Sequence, residues 1–148
     1  MSRSFLAFAL ALTATVGCSN TPPSGPGVTV LARSEHCGLN LSWQRIRSSS
    51  DLPASLPQVG IFEDSTTLVI SMGSQPTGGF EIILPESAMP NPDGPGMQLE
   101  VRLDAPPADA MVTQVLTSPC ALIRIETPPS TALEVHFSGT AAEAHNRS

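Results

Sequence analysis

The sequence predicts an all-β domain, a small antiparallel sandwich or partly open barrel of about eight short strands. Three observations carry this. Apolar residues recur with a period of two rather than 3.6, most cleanly from Met97 to Leu103, where odd positions are apolar and even positions polar. Runs rich in Val, Ile, Leu and Thr are separated by Pro/Gly-rich breaks, a composition suited to the pleated surface of a sheet. The chain holds 15 prolines in 148 residues, and proline belongs in loops and at strand edges because it lacks a ladder donor.

The elements follow in order. Val28–Ala32 opens as a strand. Cys37–Trp43 alternates, which puts Cys37, Leu39, Leu41 and Trp43 on one face. Arg45–Pro57 is rich in serine and proline and reads as a loop with room for one helical turn. Gln58–Phe62 reads as a short strand and Thr66–Gly73 as a strong one. The Pro76-Thr77-Gly78-Gly79 turn leads to a strand at Phe80–Leu84, and Pro85–Gly96 is a long break. Met97–Leu103 turns its charged face to water, as in an antiparallel sheet with one solvated side. After the Pro-rich turn at 105–109, strands at Met111–Leu116, Cys120–Ile125 and Leu133–Phe137 complete the set.

Residues 1–17 read as a secretory signal. Arg3 is the only charge, and the apolar stretch beginning at Phe5 is about a dozen residues long, the length of a signal h-region. A spanning helix needs about 20. Gly17 precedes Cys18, an arrangement that resembles the lipobox of bacterial lipoproteins, with Thr15 where leucine is commonest. The expected organisation is a lipoprotein signal at 1–17, acylation of Cys18, a flexible tether at 18–27, a β domain at 28–137 and a disordered tail at 138–148. The competing reading is a plain signal peptide cut elsewhere. The expected location is an envelope membrane, on its periplasmic or cell-surface side, held by the lipid anchor alone.

The formal charge is −6, and loss of Arg3 with the signal makes it −7. Lysine is absent and the arginines are scattered. Nucleic acid is thereby excluded as a partner, since it requires a basic face. With Cys18 acylated, Cys37 and Cys120 remain. The oxidising compartment favours a disulfide between them over two buried free thiols.

The sequence offers no catalytic constellation. His36, His136 and His145 have no HxH, CxxC or HExxH context, so neither a metal nor any other cofactor is expected. Glu81, Glu100 and Glu126 each alternate with apolar neighbours, the pattern of a solvated sheet face rather than an acid/base pair. No nucleophile elbow or phosphate loop occurs. The segment with most character is Gly73 to Phe80. Its paired glycines permit unusual backbone angles and its proline stiffens the approach, which suits either a tight turn or a docking loop.

This segment also carries a resemblance. Gly73, Pro76, Thr77, Gly78, Gly79 and Phe80, followed by Pro106, Pro107, Thr113, Gln114, Thr117, Ser118 and Pro119, resemble the two motifs of the PrcB C-terminal domain family over residues 66–126. Phe80 stands where tyrosine is commoner, and Cys120 where an aromatic is commoner. The family takes its name from a lipoprotein subunit that associates with and stabilises a surface protease. The resemblance therefore implies a non-catalytic accessory subunit whose partner is an envelope protein such as a protease. The implied protein-binding residues are Pro76, Thr77, Gly78, Gly79, Phe80, Thr113, Gln114, Thr117, Ser118 and Pro119. The Pro-Thr-Gly-Gly-Phe run is also similar to the inserting loop of chagasin-type cysteine-protease inhibitors, which gives an alternative. A structural envelope lipoprotein with no discrete ligand is another.

If Cys18 carries the anchor, Cys18→Ala is expected to abolish incorporation of labelled palmitate and leave the precursor uncut. Normal processing of that variant would overturn the assignment.

Overall fold

The structure is a computed structural model and describes residues 25–145. The signal segment, Cys18 and residues 19–24 of the expected tether lie outside the described residues. Eight strands form: β1 (Val28–Ser34), β2 (Leu41–Ile46), β3 (Thr66–Met72), β4 (Glu81–Ile83), β5 (Met89–Pro90), β6 (Met97–Asp104), β7 (Cys120–Ile125) and β8 (Leu133–Ser138). They make two sheets. The first is wholly antiparallel, in the order β1-β7-β3-β2. The second is built on β6, with β8 parallel along one edge and β4 and β5 antiparallel to its two ends. The fold is the small sandwich that the period-two pattern predicts.

The alternation in β6 does what its sequence implies. Leu99, Val101 and Leu103 are buried, while Glu100 and Arg102 meet solvent. Facing them from the first sheet are Leu68, Ile70 and Met72 of β3 and Ala121, Ile123 and Ile125 of β7. β3 and β7 differ from β6 in carrying consecutive apolar residues, Leu68–Ile70 and Cys120–Ile123. Every residue of β3 is buried, because the first sheet is covered on its outer face as well. There Ile46, Val69, Cys120 and Leu122 pack under Leu52 and Leu56, with Val59 and Ile61 against them. Residues 47–61 thus form a cover rather than a strand, and Gln58–Phe62, read from its sequence as a strand, belongs to it. A 3-10 turn at Ser49–Asp51 starts the cover. The backbone N–H groups of Arg47 and Ser48 donate to the Asp51 carboxylate and hold it below the usual carboxylate range.

Three further sequence expectations are corrected. Met111–Leu116 is not a strand, since no neighbouring strand offers it a ladder. Cys37, Leu39, Leu41 and Trp43 do not share a face: the first two pack on the outer cluster and the last two on the sandwich core. Gly38, in the left-handed region at φ 65°, lies in this segment, and β2 begins only at Leu41. The segment after Phe137, read as a disordered tail, continues into a helix α1 (Thr140–His145). Ala141 and Ala142 are small enough to bury against the core, and the Thr140 hydroxyl accepts the Ala105 N–H. At the other end, Gly25–Gly27 of the expected tether is tied down. Pro26 accepts from the Ala88 N–H and Gly27 from the Glu126 N–H.

Cys37 and Cys120 form a disulfide, with Cα atoms 6.0 Å apart and a sequence separation of 83. Closing a loop of that length removes about 4–5 kcal/mol of unfolded-chain entropy in the chain-entropy description. Ile123 is fully buried, whereas Ile83 is 39 % exposed. Ile123→Ala is therefore expected to cost about 2–5 kcal/mol and Ile83→Ala about 0.5 kcal/mol, read from urea unfolding midpoints. Equal losses would contradict the two-layer core.

Candidate functional site

The two motif segments are adjacent in space because β3 and β7 are. Antiparallel pairing sets Ser71 opposite Cys120, so the residues leaving β3 must run beside those entering β7. The ladder continues past the strand ends in this way. Met72 donates its N–H to the Pro119 carbonyl at 2.9 Å. Gln75 and Thr117 exchange both backbone bonds, at 2.8 and 3.0 Å. The Thr117 hydroxyl donates to the Thr77 carbonyl at 2.8 Å, and the Gly78 N–H donates to the Thr113 carbonyl at 3.0 Å. A one-residue slip separates the two pairings, since 71 lies opposite 120 but 75 opposite 117. Gly73, at φ 77°, sits at this slip, and a side chain there would press on the Leu41 backbone.

The two glycines of the turn have different reasons to be glycine. Gly78 is buried, and a Cβ there would overlap the Thr113 hydroxyl. Gly79 has φ 83°, and its Cβ would lie 2.8 Å from Val112 Cγ1 and 3.2 Å from Pro106 Cβ. The first is a packing constraint and the second a conformational one.

The structure divides the ten expected binding residues. Gly78, Thr117, Ser118 and Pro119 are buried and hold the two loops together. Phe80 is half-buried against the sandwich core, and Thr77 is half-buried. Pro76, Gly79, Thr113 and Gln114 are exposed and available to a partner. Sequence reasoning missed the apolar part of this face. Met111, Val115 and Leu116 are exposed to 103 %, 53 % and 76 %. The sequence reads them as part of a short strand, but among the described residues the segment pairs with no strand and they face outward.

Other candidate chemistry is not assembled. Glu81 lies opposite Asp104 across the β4–β6 pair. Glu100 is four residues further along β6, roughly 13 Å at strand rise, and Glu126 follows β7 in the other sheet. His136 lies 3.5 Å from Glu134 at an exposed position. Among the described residues no group of three potential metal ligands converges.

The described residues form a two-sheet β-sandwich with a laced pair of loops at one end. Residues 66–126 match the family model described as PrcB C-terminal. That segment runs from the first residue of β3 to the residue after β7 and contains both laced loops. No curated protein and no solved structure matched the chain.

The different origins of the two glycines are separable by mutation. Gly78→Ala is expected to cost about 0.5–1.5 kcal/mol by forcing Thr113 off its rotamer, and Thr113→Ala is expected to restore most of that. Gly79→Ala is expected to cost about 1–2 kcal/mol for its left-handed backbone, with no rescue by Thr113→Ala. A double-mutant cycle by chemical denaturation reads both couplings. Rescue of both glycines, or of neither, would refute the assignment.

Proposed function

We propose that this chain is a non-catalytic accessory module of a bacterial envelope, anchored at Cys18 by lipid, which docks a protein partner through the laced loops. One observation carries the reading. The two motifs of the PrcB C-terminal family are far apart in sequence, yet they lie side by side and expose Pro76, Thr113 and Gln114 beside the apolar strap Met111–Leu116. Exposed apolar side chains on a fixed loop fit a protein interface. By family analogy the partner class is a protease or a component of its complex.

A cleft-inserting inhibitor is less well supported by the same geometry. An inserting loop has to protrude, and here Gly78 at the centre of the turn is buried beneath Thr113.

Cross-linking in intact cells followed by affinity capture tests the reading. Met111→Asp with Leu116→Asp changes only exposed side chains, so the variant is expected to fold normally. It is expected to lose the captured partner by about tenfold or more, a loss typical of interface anchors. Capture at the wild-type level would remove the strap from the interface. Absence of any specific partner for the wild type would favour a purely structural envelope protein.

A further inference from the structure

The disulfide lies next to the docking face in the bonding network. Cys120 starts β7, and the two residues before it are Ser118 and Pro119 of the second motif. Cys37 belongs to a short segment that grips Ser118 three times. The Ser118 N–H donates to the Glu35 carbonyl at 2.7 Å. The Cys37 N–H donates to the Ser118 carbonyl at 3.0 Å. The Gly38 N–H donates to the Ser118 hydroxyl at 2.6 Å. One residue earlier, Thr117 makes the paired bonds to Gln75 and the hydroxyl bond to Thr77. A continuous path therefore runs from the sulfur bridge through Ser118 and Thr117 into the Pro76–Phe80 turn.

The disulfide is the covalent part of that grip. Residues 35–40 form no extended ladder, only the single bridge between His36 and Ser118. Glu35, His36 and Gly38 are exposed, so their backbone bonds compete with water. The segment connects β1 to β2 and is held at its ends by the Ser34–Cys120 and Leu41–Met72 pairs; between those ends the disulfide is its covalent tie to β7.

We propose that the Cys37–Cys120 bond is a redox lock on the docking face: the oxidised chain holds the two motifs in register, and the dithiol chain does not. The proposal rests on the docking reading given above and assigns its control. The bond forms by exchange with a protein disulfide oxidant. A thiolate of the pair attacks one oxidant sulfur and displaces its partner as thiolate. The second cysteine thiolate then attacks the mixed disulfide. Two electrons and two protons pass from the cysteines to the oxidant, which leaves as a dithiol. Reduction by a protein dithiol is the reverse and has one open route. Cys37 is half-buried and lines a surface cleft with His36, Gly38, Pro53 and Ser55, so its sulfur is the one a thiolate reaches. Cys120 is 2 % exposed among Ile46, Val69 and Leu122, and an apolar pocket makes its thiolate a poor leaving group. The lock therefore closes once on exposure to an oxidising compartment and reopens slowly. Docking competence is coupled to export.

Hydrogen exchange of the free protein tests this without a partner. The amide groups of Gln75, Gly78 and Thr117 are compared between the oxidised and dithiol-reduced chain, each relative to Val101 in the other sheet. Reduction is expected to speed exchange at the three motif amides by about tenfold or more beyond any change at Val101, the mark of local rather than global opening. Changes no larger than that at Val101 would overturn the lock. If the reduced chain unfolds, the comparison is repeated in sucrose, an excluded osmolyte that restores compact states. The same amides then decide. Affinity capture with both redox forms separates the two proposals. Loss of the partner on Met111→Asp/Leu116→Asp but not on reduction sinks the lock and leaves the docking face. Loss on neither sinks the docking face, while the exchange data still report on the lock.

Discussion

The pairing of β3 with β7 at the centre of the first sheet governs most of the molecule. Both strands are covered on two sides, by the second sheet and by residues 47–61. A strand buried on both faces loses its alternation: β3 is buried from Thr66 to Met72 and carries Leu68, Val69 and Ile70 in succession. The cover is needed for the same reason. Val69 and Leu122 would otherwise present an apolar face to water, and the short, serine-rich cover brings Leu52 and Leu56 down onto it. The disulfide adds a covalent pin at the edge of that outer cluster, where packing is thinnest.

The adjacency of the two motif segments is a consequence of the same pairing. Two segments separated by about thirty residues meet because one follows β3 and the other precedes β7, and these strands are antiparallel neighbours. The ladder outlasts the strands, with a slip at Gly73, until Gly78 and Thr113 end it. Met111 lies beyond that point, Val115 and Leu116 lie between the bonded Thr113 and Thr117, and all three are exposed. Side chains that would be core in a longer sheet become a surface here. The family match begins at β3 and ends just past β7, so it encloses the pair and everything between them, whereas β1, β2 and β8 complete the sheets from outside it.

Much of the fold was legible in the sequence. The β6 alternation named its buried face residue by residue, because one side of that strand faces water and the sequence must record it. Apolar and β-branched runs bounded by breaks located β3, β7 and β8 closely. It failed where apolar residues serve a purpose other than strand pairing. Gln58–Phe62 is apolar because it covers a sheet, and Met111–Leu116 is apolar at four of six positions without a pairing strand among the described residues. Local pattern reports burial demand but not which element meets it. The end of the chain misled in the opposite direction. Ala141 and Ala142 look like featureless tail residues, yet their small size is what lets a helical turn settle onto the core.

For the site, the motif residues themselves stood out in the sequence, since paired glycines beside a proline restrict the backbone in a recognisable way. Their roles did not. That Gly78 yields to Thr113 while Gly79 needs a left-handed backbone is a matter of three-dimensional neighbours. The sequence by itself determined the strand periodicity, the acidic and lysine-free surface, the pair of cysteines available to each other and the two motifs. Only the tertiary structure decided that those motifs are one face, that Ser118 ties it to the cystine, and that the strap points outward. Such facts depend on which strands become neighbours, and neighbour choice is settled by the burial of the whole chain rather than by any segment of it.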